Sequence, residues 1–441
     1  MKNIFTFHET PIRRAARILI ASLASASVSI GQAAVTLGNQ PPVVRSAPEP
    51  APNIILTLDD SGSMAWNVNN NNNAPRGQSR MDYLKAAANQ AFNTYNNGIF
   101  RLAYQSINGN GSSTYRALGF TTTQTRNLMK PFEGQHRSDF LAWLNGMAAS
   151  GGTPLRTAAI RAGEYAMGYV SGTQMIGPAD TYQYDGKTFR YDPLNGLDCR
   201  RSIHILLTDG EWNDSGITLP ASYKVDDRPG NNETTTIDVP TPQAGTLGPN
   251  TPIVTYSGNI ALNNSGHIYR DPTRLTLADL SFNYWATDLR SDLSNNIKAK
   301  LFKKGDETFT SGTVSKTVPA WWNPKNNPAT WQNLQTYTIG FGPVTQLPEL
   351  AKPGGGYYSD PQDYMYVGNF FLNKITGQTN WPAASSDSTN NRYDLWHAAY
   401  NGRGKYYAAN DSASLKKAFE DILATATAPV SGHATVSASA S

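Results

Sequence analysis

One short segment constrains the fold more than any other feature, because it places a carboxylate and two hydroxyls on alternate residues. The segment is Asp59-Asp60-Ser61-Gly62-Ser63. It directly follows the apolar run 54–58, which is typical of a strand buried on both faces, as in the centre of a parallel sheet. The sequence therefore predicts an oxygen-rich loop at the carboxyl end of a central strand.

Two further polar positions are expected at the same edge of the sheet. Thr153 precedes Pro154 at the start of a predicted helix, and Asp209 follows a second apolar run at 203–208. Loops at the carboxyl ends of neighbouring parallel strands gather at one edge, so residues distant in sequence meet there. Because Mg²⁺ prefers oxygen ligands and keeps some water, a few protein oxygens suffice. We therefore predict a divalent-cation site, with Mg²⁺ favoured and Mn²⁺ or Ca²⁺ as alternatives.

These five positions resemble the metal-ion-dependent adhesion site of von Willebrand factor type A domains. The resemblance implies that Ser61, Ser63 and Thr153 are direct ligands, and that Asp59 and Asp209 balance the charge, mostly through water. It also implies an open coordination position for a partner's carboxylate. Each piece alone has another interpretation, since Asp, Ser and Gly form turns after strands and Thr153 suits a helix N-cap. Their joint occurrence in this order favours the metal site.

Predicted strands and helices alternate along the chain, which indicates an α/β fold with a doubly wound, mainly parallel sheet. The resemblance to type A domains implies the same Rossmann-like architecture, here with a long β-rich insertion. Apolar periodicity predicts helices at 81–95, 138–148, 155–169 and about 277–289 and from about 411, and strands at 100–107 and 336–340.

The predicted organisation begins with a signal peptide, because Lys2 and three arginines precede an alanine-rich apolar stretch. That stretch is too short to span a bilayer comfortably. The predicted parts are a signal peptide at 1–34, a proline-rich linker at 35–52, a type A domain at 53–428 with inserted segments at about 213–328 and about 354–391, and a Ser/Ala tail at 429–441.

Composition argues against several classes of partner. Subtracting the four basic and one acidic residues of the predicted signal from 37 and 33 leaves 33 and 32, a net charge near +1. No basic surface for nucleic acid is therefore indicated, and no later segment is long and apolar enough for a membrane helix.

His204 is expected to pack inside its strand. Cys199 is the sole cysteine, so a buried, inert thiol is predicted, with an intermolecular bridge as the alternative.

Four further stretches are informative as a set. They are Pro52-Asn53 leading into the metal motif, 284–290, 331–342, and 394–399 followed by 401–404. Together they resemble the amino-terminal region of the PilY-type family of type IV pilus tip adhesins and assembly factors. Such proteins usually continue into a β-propeller with a calcium loop, which is not expected in this chain, so calcium control of pilus retraction is not carried over.

The family resemblance implies a protein exported by a Gram-negative bacterium to the periplasm, the pilus tip or the cell surface. The implied partners are minor pilins or pilus tip components, and a host or surface protein that presents an Asp or Glu carboxylate. The leading hypothesis is a metal-dependent adhesin or pilus-assembly factor. The alternative is a structural or mechanical subunit that bridges pilus components, with the ion as a folding aid.

No enzyme is predicted. The segment 59–61 lacks the aspartate two residues after the first that phosphatases of the haloacid dehalogenase type require. No Ser/His/Asp or Cys/His arrangement is evident in the sequence either.

Overall fold

The computed structural model describes residues 49–110, 119–220, 222–223, 237–238, 257–258, 267–269, 271, 273–303, 305–342 and 368–429. The chain divides into two units, Met1–Pro48 and Glu49–Ser441, and every described residue belongs to the second. The predicted signal peptide, most of the predicted linker, nearly all of the predicted tail and parts of both predicted insertions lie outside the described residues.

The described residues form seven α-helices and fourteen strands. The helices are α1 (Arg80–Asn93), α2 (Gly134–Gly146), α3 (Leu155–Ala166), α4 (Leu277–Ala286), α5 (Asn369–Ile375), α6 (Asn391–Asn401) and α7 (Ser412–Thr427). The strands are β1 (Asn53–Leu58), β2 (Arg101–Ser106), β3 (Lys130–Pro131), β4 (Tyr169–Val170), β5 (Thr173–Gln174), β6 (Thr181–Tyr184), β7 (Lys187–Arg190), β8 (Ser202–Thr208), β9 (Ile237–Asp238), β10 (Ser257–Gly258), β11 (Glu307–Ser311), β12 (Val314–Val318), β13 (Leu334–Phe341) and β14 (Arg403–Ala409).

A six-stranded sheet forms the centre of the structure, with the order β14-β13-β8-β1-β2-β3. Four of its five strand pairs are parallel, and only the edge pair of β2 with β3 is antiparallel. β1 and β8 lie in the middle and are buried along their whole length. The predicted α/β fold with a mainly parallel sheet is confirmed.

Helices cover both faces of the sheet. Side chains alternate between the faces along each strand, so each strand packs against both layers of helices. On one face, Ile55, Ala103 and Leu206 pack with buried residues of α3, α4 and α6. On the other face, Leu56 and Ile205 pack with buried residues of α1, α2 and α7. Both faces therefore exclude water, as in other doubly wound sheets.

The helix α4 lies in the chain between β8 and β13, which pair in parallel. Parallel neighbours need a connection that returns over one face of the sheet, and a helix usually provides it. Asp394 of α6 accepts hydrogen bonds from the backbone N–H groups of Leu277 and Ala278 at 3.0 Å, which caps the start of α4. The helix predicted at 277–289 is confirmed, although it ends at Ala286.

Two predicted helices have different bounds in the structure. α3 stops at Ala166 instead of 169, because Gly168 turns the chain with a φ of 89° and Tyr169 enters β4. A glycine in the left-handed region is a common helix stop. α2 begins at Gly134 and ends at Gly146, four residues earlier at its start than predicted.

The described residues also form four short antiparallel strand pairs that are separate from the central sheet. β11 pairs with β12 and β9 with β10, which fits the β-rich character predicted for the segment at 213–328. The hairpins β4–β5 and β6–β7, between α3 and β8, were not predicted. Among the described helices, none is long and apolar enough to cross a bilayer.

Gly163 in α3 offers a test of the packing between α3 and α4. A Cβ added at Gly163 would lie 2.0 Å from Cζ of Tyr284, so the Tyr284 ring would have to move. We expect Gly163→Ala to lower the free energy of unfolding by about 1–3 kcal/mol, as measured by urea denaturation. The control is Gly305→Ala, where no atom lies within 4 Å of the added Cβ. Equal effects of the two substitutions would contradict the packing.

Candidate metal centre

The pairing of β1 with β8 brings two carboxylates to one edge of the sheet. Leu58 lies opposite Leu207, and the backbone N–H of Asp59 donates to the carbonyl oxygen of Leu207 at 3.0 Å. By the same register Asp59 lies beside Thr208, the last residue of β8, and Asp209 follows one residue later; both aspartate side chains are buried. This arrangement is the one that the parallel-sheet argument predicted.

Asp59 is held rigidly by hydrogen-bond donors from both strands. The backbone N–H of Ser61 donates to its Oδ1 at 2.7 Å, and the Thr208 hydroxyl donates to its Oδ2 at 2.6 Å. The backbone N–H of Asp209 lies 3.4 Å from the same Oδ2. The carboxylate of Asp59 is thus fixed between the ends of β1 and β8 and is 0% exposed.

The adjacent Asp60 has a different role. Its Oδ1 accepts from the backbone N–H of Asn108 at 2.8 Å, and its Oδ2 accepts from the backbone N–H of Asn110 at 2.7 Å. Asp60 therefore ties the loop after β1 to the loop after β2. Its carboxylate is engaged away from the predicted ligands.

A chain of hydroxyl groups runs from Ser61 to Asp209. The Oγ atoms of Ser61 and Ser63 lie 3.0 Å apart, and the Ser63 hydroxyl donates to Oδ1 of Asp209 at 2.8 Å. Residues Gly62–Ala65 form a short 3₁₀ helix, which folds Ser63 back towards β8. Hydrogen bonds thus link three of the five predicted ligand side chains, from Ser61 through Ser63 to Asp209.

The loop before α3 brings Thr153 to the same place. The N–H of Gly62 donates to the carbonyl oxygen of Gly151 at 3.0 Å, which joins this loop to the serine loop. The N–H of Thr153 donates to Oδ1 of Asn213 at 2.7 Å. Pro154, and not Thr153, occupies the N-cap position of α3, so the alternative N-cap role for Thr153 does not apply.

Arg80 is a charged neighbour that the sequence analysis did not identify. Its Nη1 donates to Oδ2 of Asp209 at 2.7 Å, and both side chains are almost completely buried. The same guanidinium donates from Nη2 to Oδ1 of Asn71 at 2.7 Å and contacts the carbonyl oxygens of Asn67 and Asn70 at 3.3 Å. Arg80 therefore joins the asparagine-rich loop at 67–73 to the carboxylate at the end of β8.

These loops enclose a cleft of about 410 Å³. The described residues that line it are Ser61, Gly62, Ser63, Trp66, Asn71, Arg80, Gly151, Gly152, Thr153, Asp209, Glu211, Asn213 and Asp387. Four of the five predicted ligands line the cleft, and Asp59 lies buried behind Ser61.

Burial and mutual repulsion perturb the two central carboxylates. Burial, and then the negative charge of Asp209, raise the pKa of Asp59 to about 7, although hydrogen bonds from Ser61 and Thr208 act in the opposite direction. Burial also raises the pKa of Asp209, and the Arg80 guanidinium opposes that shift. The pocket therefore favours a compensating positive charge, which a proton or a cation can provide.

The donor set suits a hard divalent cation. No group of three or more His, Cys, Asp and Glu side chains that could hold a metal occurs among the described residues. An ion in this cleft would therefore depend on the hydroxyls of Ser61, Ser63 and Thr153 together with two carboxylates. Hydroxyl and carboxylate oxygens are ligands that Mg²⁺ and Mn²⁺ accept readily. The metal-ligating roles themselves stay a prediction.

Two other residues singled out by the sequence lie near this sheet. His204 is buried in β8, its Nε2 is 2.9 Å from Oγ1 of Thr57, and burial lowers its pKa to about 3. It is a packed strand residue, as predicted. Cys199 is a free thiol that is only partly buried, so the prediction of a buried thiol was wrong. It precedes β8, at the opposite end of that strand from Asp209.

The sequence analysis missed Arg80, Asn213, Glu211 and Asp387. Arg80 is the first residue of α1, a position where charged side chains usually face solvent, and it lies 129 residues from Asp209 in the chain. The asparagine-rich loop at 67–73 also borders the site, since Asn71 lines the cleft.

The fold and the cleft define an α/β protein with a doubly wound sheet and an oxygen-lined cleft at the carboxyl edge of its strands. No family model matches the chain. The chain is 34% identical over 339 residues to the Type IV pilus biogenesis factor PilY1 of Pseudomonas aeruginosa strain PAO1, and 35% identical over 339 residues to that of strain PAK. Each match covers 77% of this chain and 24% of the relative.

Over the matched region, the chain is similar to PilY-type type IV pilus biogenesis factors, as its motifs predicted. The chain spans about a quarter of the length of these relatives.

Solved structures with some likeness include the PilB minor pilin of Streptococcus sanguinis, with a TM-score of 0.30, 13% identity, and coverage of 87% of this chain and 63% of that one. The pilus adhesin SpaC of Lactobacillus rhamnosus GG has a TM-score of 0.28 and 10% identity, with coverage of 86% and 31%.

The raised pKa of Asp59 predicts a specific pH dependence for the metal-free protein. A carboxyl that titrates near 7 when folded and near 3.8 when unfolded stabilises the fold below about pH 4, and this contribution is lost as the pH rises towards 7. In chelator, the unfolding free energy of the wild type should fall relative to that of Asp59→Asn between those pH values, by at most about 1.4 kcal/mol per pH unit.

The measurement is urea denaturation of both proteins across this range, with EDTA and then with Mg²⁺. Added Mg²⁺ should raise the unfolding free energy of the wild type most strongly above pH 7, where Asp59 is ionised. It should raise that of Asp59→Asn less. Parallel pH profiles of the two proteins in chelator would show that Asp59 does not carry the proton.

Proposed function

We propose that the cleft is a metal-ion-dependent adhesion site of the von Willebrand factor type A kind. In this proposal Ser61, Ser63 and Thr153 bind a divalent cation directly, and Asp59 and Asp209 balance its charge, mostly through water. Mg²⁺ is the favoured ion, with Mn²⁺ or Ca²⁺ as alternatives. The observation that supports it most is the hydroxyl chain from Ser61 through Ser63 to Asp209, above the buried carboxylate of Asp59.

The bound ion would supply an electrophilic centre for a carboxylate from another protein. Its direct ligands from this chain would be neutral hydroxyls, so little of its charge would be neutralised by direct contact. Arg80 strengthens this effect, because it pairs with Oδ2 of Asp209 at 2.7 Å and offsets part of that negative charge. Thr208 and the backbone of Ser61 hold Asp59 in place, so the charge-balancing group needs no rearrangement.

The biological setting follows from the relatives, whose name describes a type IV pilus biogenesis factor. We propose that this chain acts as a pilus-associated adhesin or assembly factor and has no catalytic role. Its proposed partners are minor pilins or pilus tip components, and a host or surface protein that offers an Asp or Glu carboxylate. It would be exported to the periplasm, the pilus tip or the cell surface.

A structural role for the ion is the second candidate, and the complete burial of Asp59 favours it. A cation beside this carboxylate would stabilise the fold whether or not a partner binds. The two functions differ in one measurement. If Mg²⁺ raises the melting temperature and surface attachment does not depend on Mg²⁺, the chain is a bridging subunit. Attachment that requires Mg²⁺ supports the adhesion site.

Metal uptake by single-site variants tests the proposed ligands. Ser61→Ala and Asp59→Ala should each weaken Mg²⁺ binding by roughly 10–100-fold, because each removes an oxygen of the proposed shell. Isothermal titration with Mg²⁺ measures the affinity, and attachment of the same proteins to cell surfaces measures the function.

The matched control is Ser138→Ala on the exposed surface of α2, where the hydroxyl bonds only to the carbonyl oxygen of Gly134 among the described contacts. This variant should bind Mg²⁺ like the wild type. The adhesion-site model fails if Ser61→Ala and Asp59→Ala leave both metal uptake and attachment at the level of Ser138→Ala.

A further inference from the structure

Two acidic side chains on the rim of the cleft have no role in the proposed metal shell. Glu211 lies three residues after the end of β8 and is partly buried. Asp387 is exposed and lies in the loop between α5 and α6. The backbone N–H of Asp387 donates to the carbonyl oxygen of Trp212 at 3.0 Å, which fixes its loop beside Glu211. Both side chains line the same cleft as Asp209, so their charges add to its negative potential.

The rim makes the cleft electronegative even with an ion bound. Four carboxylates line or underlie it, from Asp59, Asp209, Glu211 and Asp387, and Arg80 is the one cation among the described lining residues. With Arg80 and a divalent ion together, one formal negative charge remains. An incoming carboxylate would raise the excess to two, in a partly desolvated site where like charges repel strongly.

The neighbouring arginine does not relieve this excess. Arg156 stacks on the ring of Trp212, 3.8 Å from its centroid, but its Nε is committed to Oδ1 of Asp214 at 2.9 Å. Arg80 is likewise committed to Asp209. Among the described residues that line the cleft, no cation is left to balance the rim, so a cationic group of a partner would find a complementary site there.

We propose that the cleft selects a carboxylate that has a lysine or arginine beside it in the partner's chain. The carboxylate would occupy the ion's open position, and the ammonium or guanidinium group would lie between Glu211 and Asp387. An extended peptide advances about 3.3 Å per residue, so a residue adjacent to the ion-bound Asp or Glu can reach the rim of the same cleft. The inference rests on the proposed function and adds the chemistry of its partner.

Beads that display short peptides in many copies provide the test, because multivalency makes weak single contacts measurable. Three peptides share a Gly-Ser scaffold and differ in one dipeptide, which is Asp-Lys, Asp-Gln or Asp-Glu. In Mg²⁺, we expect the wild-type chain to bind Asp-Lys beads at least about tenfold better than Asp-Gln beads, and Asp-Glu beads least.

The double variant Glu211→Gln with Asp387→Asn should reduce the preference for Asp-Lys over Asp-Gln to about twofold or less, because the countercharge is gone. Its Mg²⁺ affinity is measured by isothermal titration, and the beads are compared at Mg²⁺ concentrations that saturate each protein. The matched control is Asp185→Asn in the β6–β7 turn, since Asp185 and Asp387 are both exposed and have φ values of 51° and 55°. This control should keep the full preference.

The outcomes separate this inference from the proposed function. Equal binding of Asp-Lys and Asp-Gln beads, still dependent on Mg²⁺ and lost in Ser61→Ala, would overturn the charge preference and leave the adhesion site standing. Binding of Asp-Lys beads that persists in EDTA and in Ser61→Ala would show a simple acidic patch and overturn the inference as stated. The absence of Mg²⁺-dependent binding to any bead would overturn both.

Discussion

The parallel register of β1 against β8 is the constraint on which the cleft depends. Because Leu58 is paired with Leu207, Asp59 leaves the sheet beside Thr208, one residue before Asp209, and the two carboxylates are buried together. Burial of two like charges is costly, and the fold offsets part of that cost with hydrogen bonds from Ser61 and Thr208 and with the Arg80 ion pair. A shift of one residue in the register would turn the side chains of one strand to the opposite face of the sheet and break this arrangement.

Arg80 gives the site a second level of organisation. Its guanidinium donates hydrogen bonds to Asp209 and to three residues of the asparagine-rich loop. One side chain therefore positions both this loop and the Asp209 carboxylate. A buried arginine with this many partners fixes geometry more than it adds stability, since desolvation of the charges cancels much of the attraction. The cleft is thus prearranged, and little ordering is required when a ligand binds.

The stretches that carry the PilY-type resemblance outside the metal motif act in the core. Asp394 caps α4, and His397 places Nδ1 at 3.2 Å from Oδ2 of Asp271 while its ring stacks on Trp381. Arg290 pairs with the buried Asp192 at 2.5 Å. These contacts join the long connection between β8 and β13 to α6 and to the loop before β8.

Local pattern alone determined the central strands and most helices, because burial on both faces and turn chemistry depend on neighbouring residues. The five oxygen donors were predicted from their positions after these strands and from the type A resemblance, and their roles as ligands stay a prediction. It could not reveal the hairpins before β8, since short, half-exposed strands have weak periodicity. The contact of Arg80 with Asp209, and the acidic rim of Glu211 and Asp387, were decided by tertiary structure only. Arg80 lies 129 residues from Asp209 in the chain, and Glu211 and Asp387 come from separate loops, so only the packing of the sheet and its connections sets the distances between these groups.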